Sequence, residues 1–215
     1  MIIAIDGSAA SGKGTLAKRV AAEFGYDYLD TGALYRAVAL RLLNAGANSN
    51  KIDEKQAVNA ASTLNLLLTQ TAEIRTDKVA ALASIVAAIG PVRAELLSLQ
   101  RAFAAAPPSG RGAVLDGRDI GTIVLPDANV KFFIDADLDI RAERRTKELL
   151  QAEQSVMFRD VLEDMKARDD RDRTRSVAPL KAADDAITID TSKMEASAVL
   201  ALALSHIDRV CPSEQ

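Results

Sequence analysis

The chain has 215 residues, 48% of them hydrophobic and 27% charged, which is typical of one folded domain with a full core and excludes a disordered chain. Aromatic residues make up 4% and the formal net charge is −3, so base-stacking single-strand binding and general nucleic-acid binding are disfavoured. The single cysteine, Cys211, excludes an intramolecular disulfide and a cysteine-rich metal site. The apolar stretch 79–89 is far shorter than the ~20 residues of a membrane span, and Asp6 interrupts the apolar start, so we expect a cytoplasmic protein without a signal peptide.

Five short apolar runs, each ending in aspartate, predict the strands of a parallel sheet. They are residues 2–6, 26–30, 113–116, 131–135 and 186–190. A first helix is predicted over residues 13–24, because Leu16, Val20 and Phe24 lie on one face and Gly25 can end it. Strand, glycine-rich turn, helix and strand begin a βαβ unit, and such units bind ligands at the carboxyl ends of their strands.

Two long helical segments are predicted between the strands. The second and third strands are more than 80 residues apart, and residues 53–106 have an Ala/Leu/Val-rich helical pattern. Consecutive prolines within residues 104–110 end this segment. A second, heavily charged helical segment is predicted over residues 139–175. The order of elements predicts an α/β fold with two helical insertions.

A phosphate-binding loop is predicted directly after the first strand, with the sequence Gly-x-x-x-x-Gly-Lys-Gly-Thr. Its backbone N–H groups and the helix N-terminus would bind phosphate, and Lys13 could reach the β- and γ-phosphates. The predicted ATP-binding residues are Gly7, Ser8, Ala9, Ala10, Ser11, Gly12, Lys13, Gly14 and Thr15. Gly14 stands where the strict motif has the Ser or Thr that ligates magnesium, so the magnesium ligands stay unassigned. The alternative is a plain glycine-rich turn that caps a helix.

Arginines follow the carboxyl ends of the second and third strands. Thr31 is placed to cap a helix that carries Arg36, and residues 116–119, Asp-Gly-Arg-Asp, bring a second arginine to the same edge of the sheet. Both arginines would face the phosphate-binding loop. The alternatives are a surface arginine on an amphipathic helix and acids that only cap a turn.

Eight of the 17 arginines lie in the second helical segment, between Arg141 and Arg175. Two predicted helical faces carry most of them: Arg168, Arg171 and Arg175 share one face with Asp172, and Arg141, Arg144 and Arg145 share another. Guanidinium groups bind phosphate oxygens in pairs, and phosphoryl transfer needs positive charge around the moving group. The alternative is a solvated face of ion pairs.

Two further signals are discounted. Residues 50–53, Asn-Lys-Ile-Asp, match a guanine-reading pattern, but no strand precedes them, and Asp53 and Gln56 look like a helix cap and its third-position partner. His206 and Cys211 have no companion ligands, so a metal site or a nucleophile is not expected there.

Four motifs resemble those of the bacterial cytidylate kinase family: residues 7–15, residues 29–36 (Leu-Asp-Thr-Gly-Ala-Leu-Tyr-Arg), residues 116–122 (Asp-Gly-Arg-Asp-Ile-Gly-Thr) and residues 168–173 (Arg-Asp-Asp-Arg-Asp-Arg). The first is shared with many nucleoside monophosphate kinases, including its Gly after Lys, and the resemblance covers nearly the whole chain. It implies one P-loop kinase domain over residues 1–215, a three-layer sandwich with a five-stranded parallel sheet. It also implies a helical monophosphate-binding insertion at about 37–100 and a helical lid within about 141–167.

The resemblance further implies transfer of a phosphoryl group from ATP to CMP or dCMP, with magnesium. The implied ligands are Arg36, Arg118 and Arg168 for the acceptor phosphate, Ser84, Arg93 and Asp119 for cytosine, and Asp172 and Arg175 for the sugar, with Thr31 as a further CMP-binding residue. The implied catalytic residues are Lys13, Arg118, Arg168 and the lid arginines Arg144 and Arg145. Without the resemblance, the segment that holds Ser84 and Arg93 looks only like a helix and its proline-terminated end.

One departure from the family concerns the insertion, which usually carries a small antiparallel sheet before the segment Ile74-Arg75-Thr76. Here only residues 64–71 precede Glu73, so that hairpin is expected to be shortened or absent. Two other functions stay open: phosphorylation of another small acceptor, such as UMP or a non-nucleotide metabolite, and a nucleotide-binding switch with little chemistry. A monomer is expected, without nucleic-acid or membrane partners, because no extended apolar seam is evident.

Overall fold

The computed structural model describes residues 1–48 and 52–210 and contains one sheet of five parallel strands in the order β2-β3-β1-β4-β5. The strands are β1 (Ile2–Gly7), β2 (Asp27–Asp30), β3 (Ala113–Gly117), β4 (Val130–Asp135) and β5 (Ile187–Asp190). Each predicted strand is confirmed to within one residue at either end. The parallel order brings the carboxyl ends of all five strands to one edge of the sheet.

Helices cover both faces of the sheet. Alternate side chains of β1 point to opposite faces, and in the middle of the strand those on both faces are apolar and buried. Ile3 and Ile5 pack against α1 (Lys13–Phe24) and α8 (Ala196–Val210). On the opposite face, Ala4 packs with the end of α5 (Gly90–Ala105) and with one turn of π-helix, Ile120–Val124. The fold is the predicted α/β three-layer sandwich, and α1 has the predicted bounds.

The first insertion has an apolar core of its own, formed by four helices. They are α2 (Thr31–Asn44), α3 (Glu54–Ser62), α4 (Asp77–Val86) and α5. Two 3-10 turns, Leu66–Gln70 and Ala72–Arg75, join α3 to α4, and no strand occurs between residues 52 and 112. The family's hairpin is therefore absent from this stretch.

Pro91, in the first insertion, does not end a helix as the sequence indicates. Pro91 lies in the first turn of α5, whereas α4 ends at Val86. The proline therefore starts a helix instead of ending one, since a first-turn residue needs no N–H for the helix ladder. Nearby, Asp53 caps α3 as predicted, and its carboxylate accepts from the N–H of Gln56 at 3.0 Å.

The second insertion is a hairpin of α6 (Leu138–Gln151) and α7 (Phe158–Thr174), which pack on each other through Leu149 and Met165. Ala9 and Ala10 of the loop after β1 pack against the same apolar cluster. The hairpin thus lies beside the predicted phosphate-binding loop, where a lid is expected.

Of the signals discounted above, Asn50, Lys51 and Cys211 lie outside the described residues. Within residues 1–48 and 52–210, no single helix is long and apolar enough to cross a membrane; α4 and α5 reach that length and apolarity only as a pair, and the chain bends by 100° between them.

Candidate active site

The loop between β1 and α1 has the backbone shape of a phosphate-binding loop. Gly7 has a φ of +153°, and a Cβ at this position would overlap the carbonyl oxygen of Ile134, so only glycine fits. Gly12, with a φ of +91°, precedes the first residue of α1, and no side chain from the described part of the chain caps this helix. The first N–H groups of α1 are therefore available to a bound anion.

Lys13 spans this loop, and its Nζ donates to the carbonyl oxygen of Ser8 at 3.2 Å. Removal from water and, to a smaller extent, the positive charges of Arg118 and Arg168 lower the pKa of Lys13 to about 7, against the opposing effects of Asp116 and Asp30. The cluster of Lys13, Arg118 and Arg168 is suited to binding an anion.

Asp116, at the end of β3, lies directly beside the P-loop. The Tyr28 hydroxyl donates to its Oδ1 at 2.8 Å, and a Cβ on Gly14 would lie 3.6 Å from its Oδ2. Burial raises the pKa of Asp116, as does the neighbouring Asp30 carboxylate, while Lys13 lowers it. The position that holds Ser or Thr in the strict motif thus faces a carboxylate in this chain.

Three arginines predicted to hold the acceptor phosphate lie near the same sheet edge. Arg36 pairs with Asp30 at 2.6 Å, and the Nε of Arg118 pairs with Asp172 at 3.0 Å. Removal from water, together with the charge of Arg118, lowers the pKa of Arg168 to about 10. The Nε atoms of Arg36 and Arg168 are buried and have no hydrogen-bond partner among the described residues. Such unpaired cationic donors favour a bound anion.

The residues predicted to read cytosine form buried polar contacts at the boundary between the sheet and the first insertion. Arg93 forms a hydrogen-bonded ion pair with Asp119, and its guanidinium lies 5.7 Å from the centre of the Tyr35 ring. Arg175 lies 3.7 Å from the other oxygen of Asp119, and its Nη2 has no hydrogen-bond partner within the described part of the chain. The structure thus joins residues that are 82 positions apart in sequence, from Arg93 to Arg175.

Ser84 belongs to a second polar cluster, centred on Asp172. Its hydroxyl donates to Oδ1 of Asp172 at 3.4 Å, and Arg171 approaches the same hydroxyl at 3.5 Å. Burial acts to raise the pKa of Asp172, but Arg118 and Arg168 together hold it below its usual value. Asp172 is therefore an ionised carboxylate that joins Ser84 of the first insertion to Arg118, directly after β3.

Thr31 does not cap the helix, which corrects the prediction. Asp30 is the cap, and its carboxylate accepts from the N–H of Ala33 at 3.0 Å. The Thr31 hydroxyl is buried and donates to the carbonyl oxygen of Asp116 at 2.8 Å. Thr31 thus fixes the start of α2 to the end of β3, and its contact with CMP stays a prediction.

The two lid arginines singled out from the sequence are paired with other residues, and the partner of Arg144, Thr191, donates to the carbonyl oxygen of Ser11 in the P-loop at 2.8 Å. Arg144 donates to the hydroxyl and carbonyl oxygens of Thr191 at 3.1 and 2.6 Å. Arg145 pairs with Asp77 at 2.6 Å, across to the first insertion, and with Glu148 at 3.4 Å. Their catalytic role stays a prediction.

Two other arginines of the hairpin lie against the P-loop. Arg141 donates to the carbonyl oxygen of Ala9 at 3.3 Å and pairs with Asp169 at 2.7 Å. Arg173 lies 3.4 Å from the Ser8 hydroxyl and 3.1 Å from the carboxylate of Asp135.

Sequence reasoning had not singled out Arg173. It stands within the Arg-Asp-Asp-Arg-Asp-Arg motif, five residues after Arg168, so it lies off the helical face that carries Arg168 and Asp172. Counting one face of a helix therefore missed it. A count of every arginine in the motif, whichever face it occupies, would have included it.

Solved structures of low sequence identity share the fold. A crystal structure of an uncharacterised protein from Eubacterium ventriosum has a TM-score of 0.55 and 17% identity, over 97% of this chain and 98% of that one. A gluconokinase from Sinorhizobium meliloti has a TM-score of 0.50 and 13% identity, over 97% and 91% of the two chains. At such identities the likeness concerns the fold alone.

Sequence relatives are much more similar and match over nearly their full length. The cytidylate kinase from Paramagnetospirillum magneticum is 52% identical over 206 residues, which cover 96% of this chain and 97% of the relative. The cytidylate kinase from Rhodopseudomonas palustris strain BisB18 is 49% identical over 215 residues, which cover 100% and 99%. The family profile described as cytidylate kinase matches residues 3–209. This chain therefore belongs to the cytidylate kinase family.

Proposed function

We propose that the chain transfers the γ-phosphoryl group of ATP to CMP and dCMP, giving the nucleoside diphosphate and ADP. The observation that carries the proposal is the cluster of Lys13, Arg118 and Arg168, together with the buried, unpaired Nε atoms of Arg36 and Arg168. Positive charge of this density is needed where two phosphate groups must approach in line. Membership of the cytidylate kinase family supports CMP and dCMP as the acceptors.

On the donor side, the P-loop N–H groups and Lys13 would bind the ATP phosphates. The Lys13 Nζ now rests on the Ser8 carbonyl, and ATP phosphate oxygens would replace that carbonyl as its partner. We further propose Arg173 as a donor-side cation, because its guanidinium already lies against Ser8 and is half exposed. Arg173 would exchange Asp135 for a phosphate oxygen when ATP binds.

On the acceptor side, Arg36, Arg118 and Arg168 would bind the phosphate of CMP. Asp119 would accept a hydrogen bond from the exocyclic amine of cytosine, whereas uracil presents a carbonyl oxygen at that position. A carboxylate that faces a carbonyl leaves two acceptors without a donor, so UMP is disfavoured. Arg93 and Ser84 would complete the base contacts.

Magnesium fits the donor set at the end of β3. Asp116 and Asp30 are neighbouring carboxylates beside the P-loop, and within the described residues no group of three or more His, Cys, Asp or Glu side chains could hold a metal on its own. Magnesium in phosphoryl-transfer enzymes characteristically takes one or two carboxylates, with phosphate oxygens and water as its other ligands. We propose Asp116 as the protein group that holds it, where the ion would neutralise charge on the ATP phosphates.

The lid hairpin would close over the P-loop when both nucleotides are bound. Closure excludes water, which would otherwise compete with CMP as the acceptor and hydrolyse ATP. The packing of Ala9 and Ala10 against the hairpin core supports this, because the lid already contacts the loop that it would cover. A cytoplasmic monomer that acts on free nucleotides, without nucleic-acid or membrane partners, completes the proposal.

The test is ADP formation from ATP and magnesium with CMP, dCMP, UMP, AMP and GMP offered separately, beside a control without acceptor. We expect rapid turnover only with CMP and dCMP. Equal turnover with UMP would keep the phosphate chemistry and contradict Ser84, Arg93 and Asp119 as selectors. Absence of turnover with every nucleotide would overturn the proposed acceptors, and ATP binding without turnover would favour the nucleotide-binding switch.

A further inference from the structure

Asp6 is a buried carboxylate to which the mechanism above assigns no task. It lies near the end of β1, directly before Gly7 of the P-loop, and only 3% of its surface is exposed. Its two oxygens accept from the N–H groups of Ile120 at 2.8 Å and of Gly121 at 2.7 Å. Asp6 thus joins the P-loop to the turn Ile120–Val124, which lies in the connection between β3 and β4.

The environment of Asp6 is unfavourable for a charge. Burial raises the pKa of Asp6 to about 7, although its two N–H partners lower it. Among residues 1–48 and 52–210 no lysine or arginine forms an ion pair with it. An apolar residue would avoid this desolvation but would leave the N–H groups of Ile120 and Gly121 without an acceptor, so the acid serves to hold this turn.

The turn that Asp6 holds comes directly after Arg118 and Asp119. The N–H groups of Ile123 and Val124 donate back to the carbonyl oxygen of Asp119 at 2.9 and 3.1 Å. The first N–H groups of the turn are thus fixed by Asp6 and the later ones by Asp119. The backbone at Asp119 cannot move without breaking one of these two sets of hydrogen bonds.

The space around this contact is closely packed as well. A Cβ on Gly121 would lie 3.1 Å from Cδ of Lys131 and 3.5 Å from the carboxylate of Asp6. The Lys131 ammonium points away, to Asp185 at 2.7 Å, so it does not neutralise Asp6. The turn therefore has little freedom to shift unless Asp6 changes.

We propose that Asp6 is a positioning residue for acceptor recognition, which holds Arg118 and Asp119 at a fixed place relative to Gly7 of the P-loop. This role rests on the proposed function, since Arg118 and Asp119 are its acceptor ligands. The link is short, because Asp6 directly precedes Gly7 of the P-loop and Asp119 directly precedes Ile120, the first residue of the turn. Asp6 acts through the backbone and touches neither nucleotide.

The test is Asp6→Asn, which keeps the shape of the side chain but turns an NH2 group toward one of the two N–H groups. We expect the KM for CMP to rise about tenfold, as for loss of a buried hydrogen bond to a charged group, and the KM for ATP to change less than about twofold. Amide hydrogen exchange at Ile120 and Gly121 should become faster. The matched control is Asp53→Asn, whose carboxylate also accepts a backbone N–H but lies in the cap of α3, where Asn serves as well.

Several outcomes would overturn the proposal. Unchanged KM for CMP, or equal changes in the KM for CMP and ATP, would leave Asp6 a purely structural residue. If the Asn variant does not fold, Asp6→Glu is the second variant, because it keeps the charge and displaces the turn. A folded Glu variant with a raised KM for CMP would support the positioning role. Failure of both variants to fold would overturn the proposal. Wild-type turnover is measured first, so that an inactive wild-type protein counts against the proposed function and a selective change in CMP kinetics bears on Asp6 alone.

Discussion

The donor and acceptor sides of this site are built in different ways. The donor side is one continuous loop, Gly7 to Thr15, whose shape follows from its glycines and from the helix that it opens. The acceptor side draws residues from α2, α4, α5, the end of β3 and α7. A local sequence motif therefore suffices to specify the first, whereas only the packing of distant segments forms the second.

This difference also separates the kinds of failure that substitutions produce. Removing a donor-side group takes away one contact with phosphate and leaves the loop intact. Removing an acceptor-side group leaves a buried partner without its counter-charge, as with Arg118 and Asp172 or Arg93 and Asp119. Acceptor-side variants should therefore lose stability as well as activity.

The largest expected effect is on the donor side. Lys13→Ala should lower kcat by roughly a hundredfold or more, because a cation near the transferred phosphoryl group is lost, and the fold should be kept. Steady-state ADP formation measures kcat, and circular dichroism measures whether the fold is kept. Lys55→Ala, on the exposed face of α3, is the control. A near-normal rate would remove the donor-site assignment.

On the acceptor side, Arg118→Ala should lower kcat/KM for CMP by about a hundredfold, since a phosphate ligand is lost and Asp172 is left buried without its partner. Unlike Lys13→Ala, this variant should also unfold at lower urea concentration. Arg159→Ala is the matched control, because Arg159 forms an exposed pair with Glu163 on the same helix as Asp172. Unchanged kinetics with CMP would show that Arg118 is not a ligand.

Base recognition should respond more weakly and more selectively. Asp119→Asn should reduce the preference for CMP over UMP about tenfold, because an amide can donate to the uracil carbonyl that a carboxylate cannot. The ratio of kcat/KM values for the two nucleotides measures this, with the exposed Asp127→Asn as the control. An unaltered ratio, with both nucleotides slowed equally, would assign Asp119 to structure instead.

The smallest expected effect is on the KM for ATP, and it distinguishes Arg173 from Arg145 in the lid hairpin. Arg173→Gln should raise the KM for ATP by roughly fivefold, as for loss of a charge-assisted contact, and leave the KM for CMP nearly unchanged. Arg145→Gln should alter both by less than about threefold, because surface ion pairs contribute little. The reverse order of effects would support Arg145 as the catalytic lid arginine.

Most of the sheet could be predicted from the sequence, because strands buried on both faces are continuous apolar runs with polar ends. The bounds of α1 were predicted for a similar reason, since Gly25 ends the helix with a φ of +63°. Pro91 was misinterpreted, because a proline is compatible both with the end of one helix and with the start of the next. Its neighbours in sequence do not decide between the two.

The sequence by itself determined the parallel sheet, the P-loop and the positions of the motif arginines, since each depends on residues that are close together in the chain. Only the tertiary structure decided the partners of those arginines. It turned Arg144 and Arg145 to Thr191 and Asp77, brought Arg173 to Ser8, and joined Asp6 to the turn after Asp119. The physical reason is that a charged side chain can pair with any opposite charge or dipole within reach, and the packing of whole helices sets which of them is within reach.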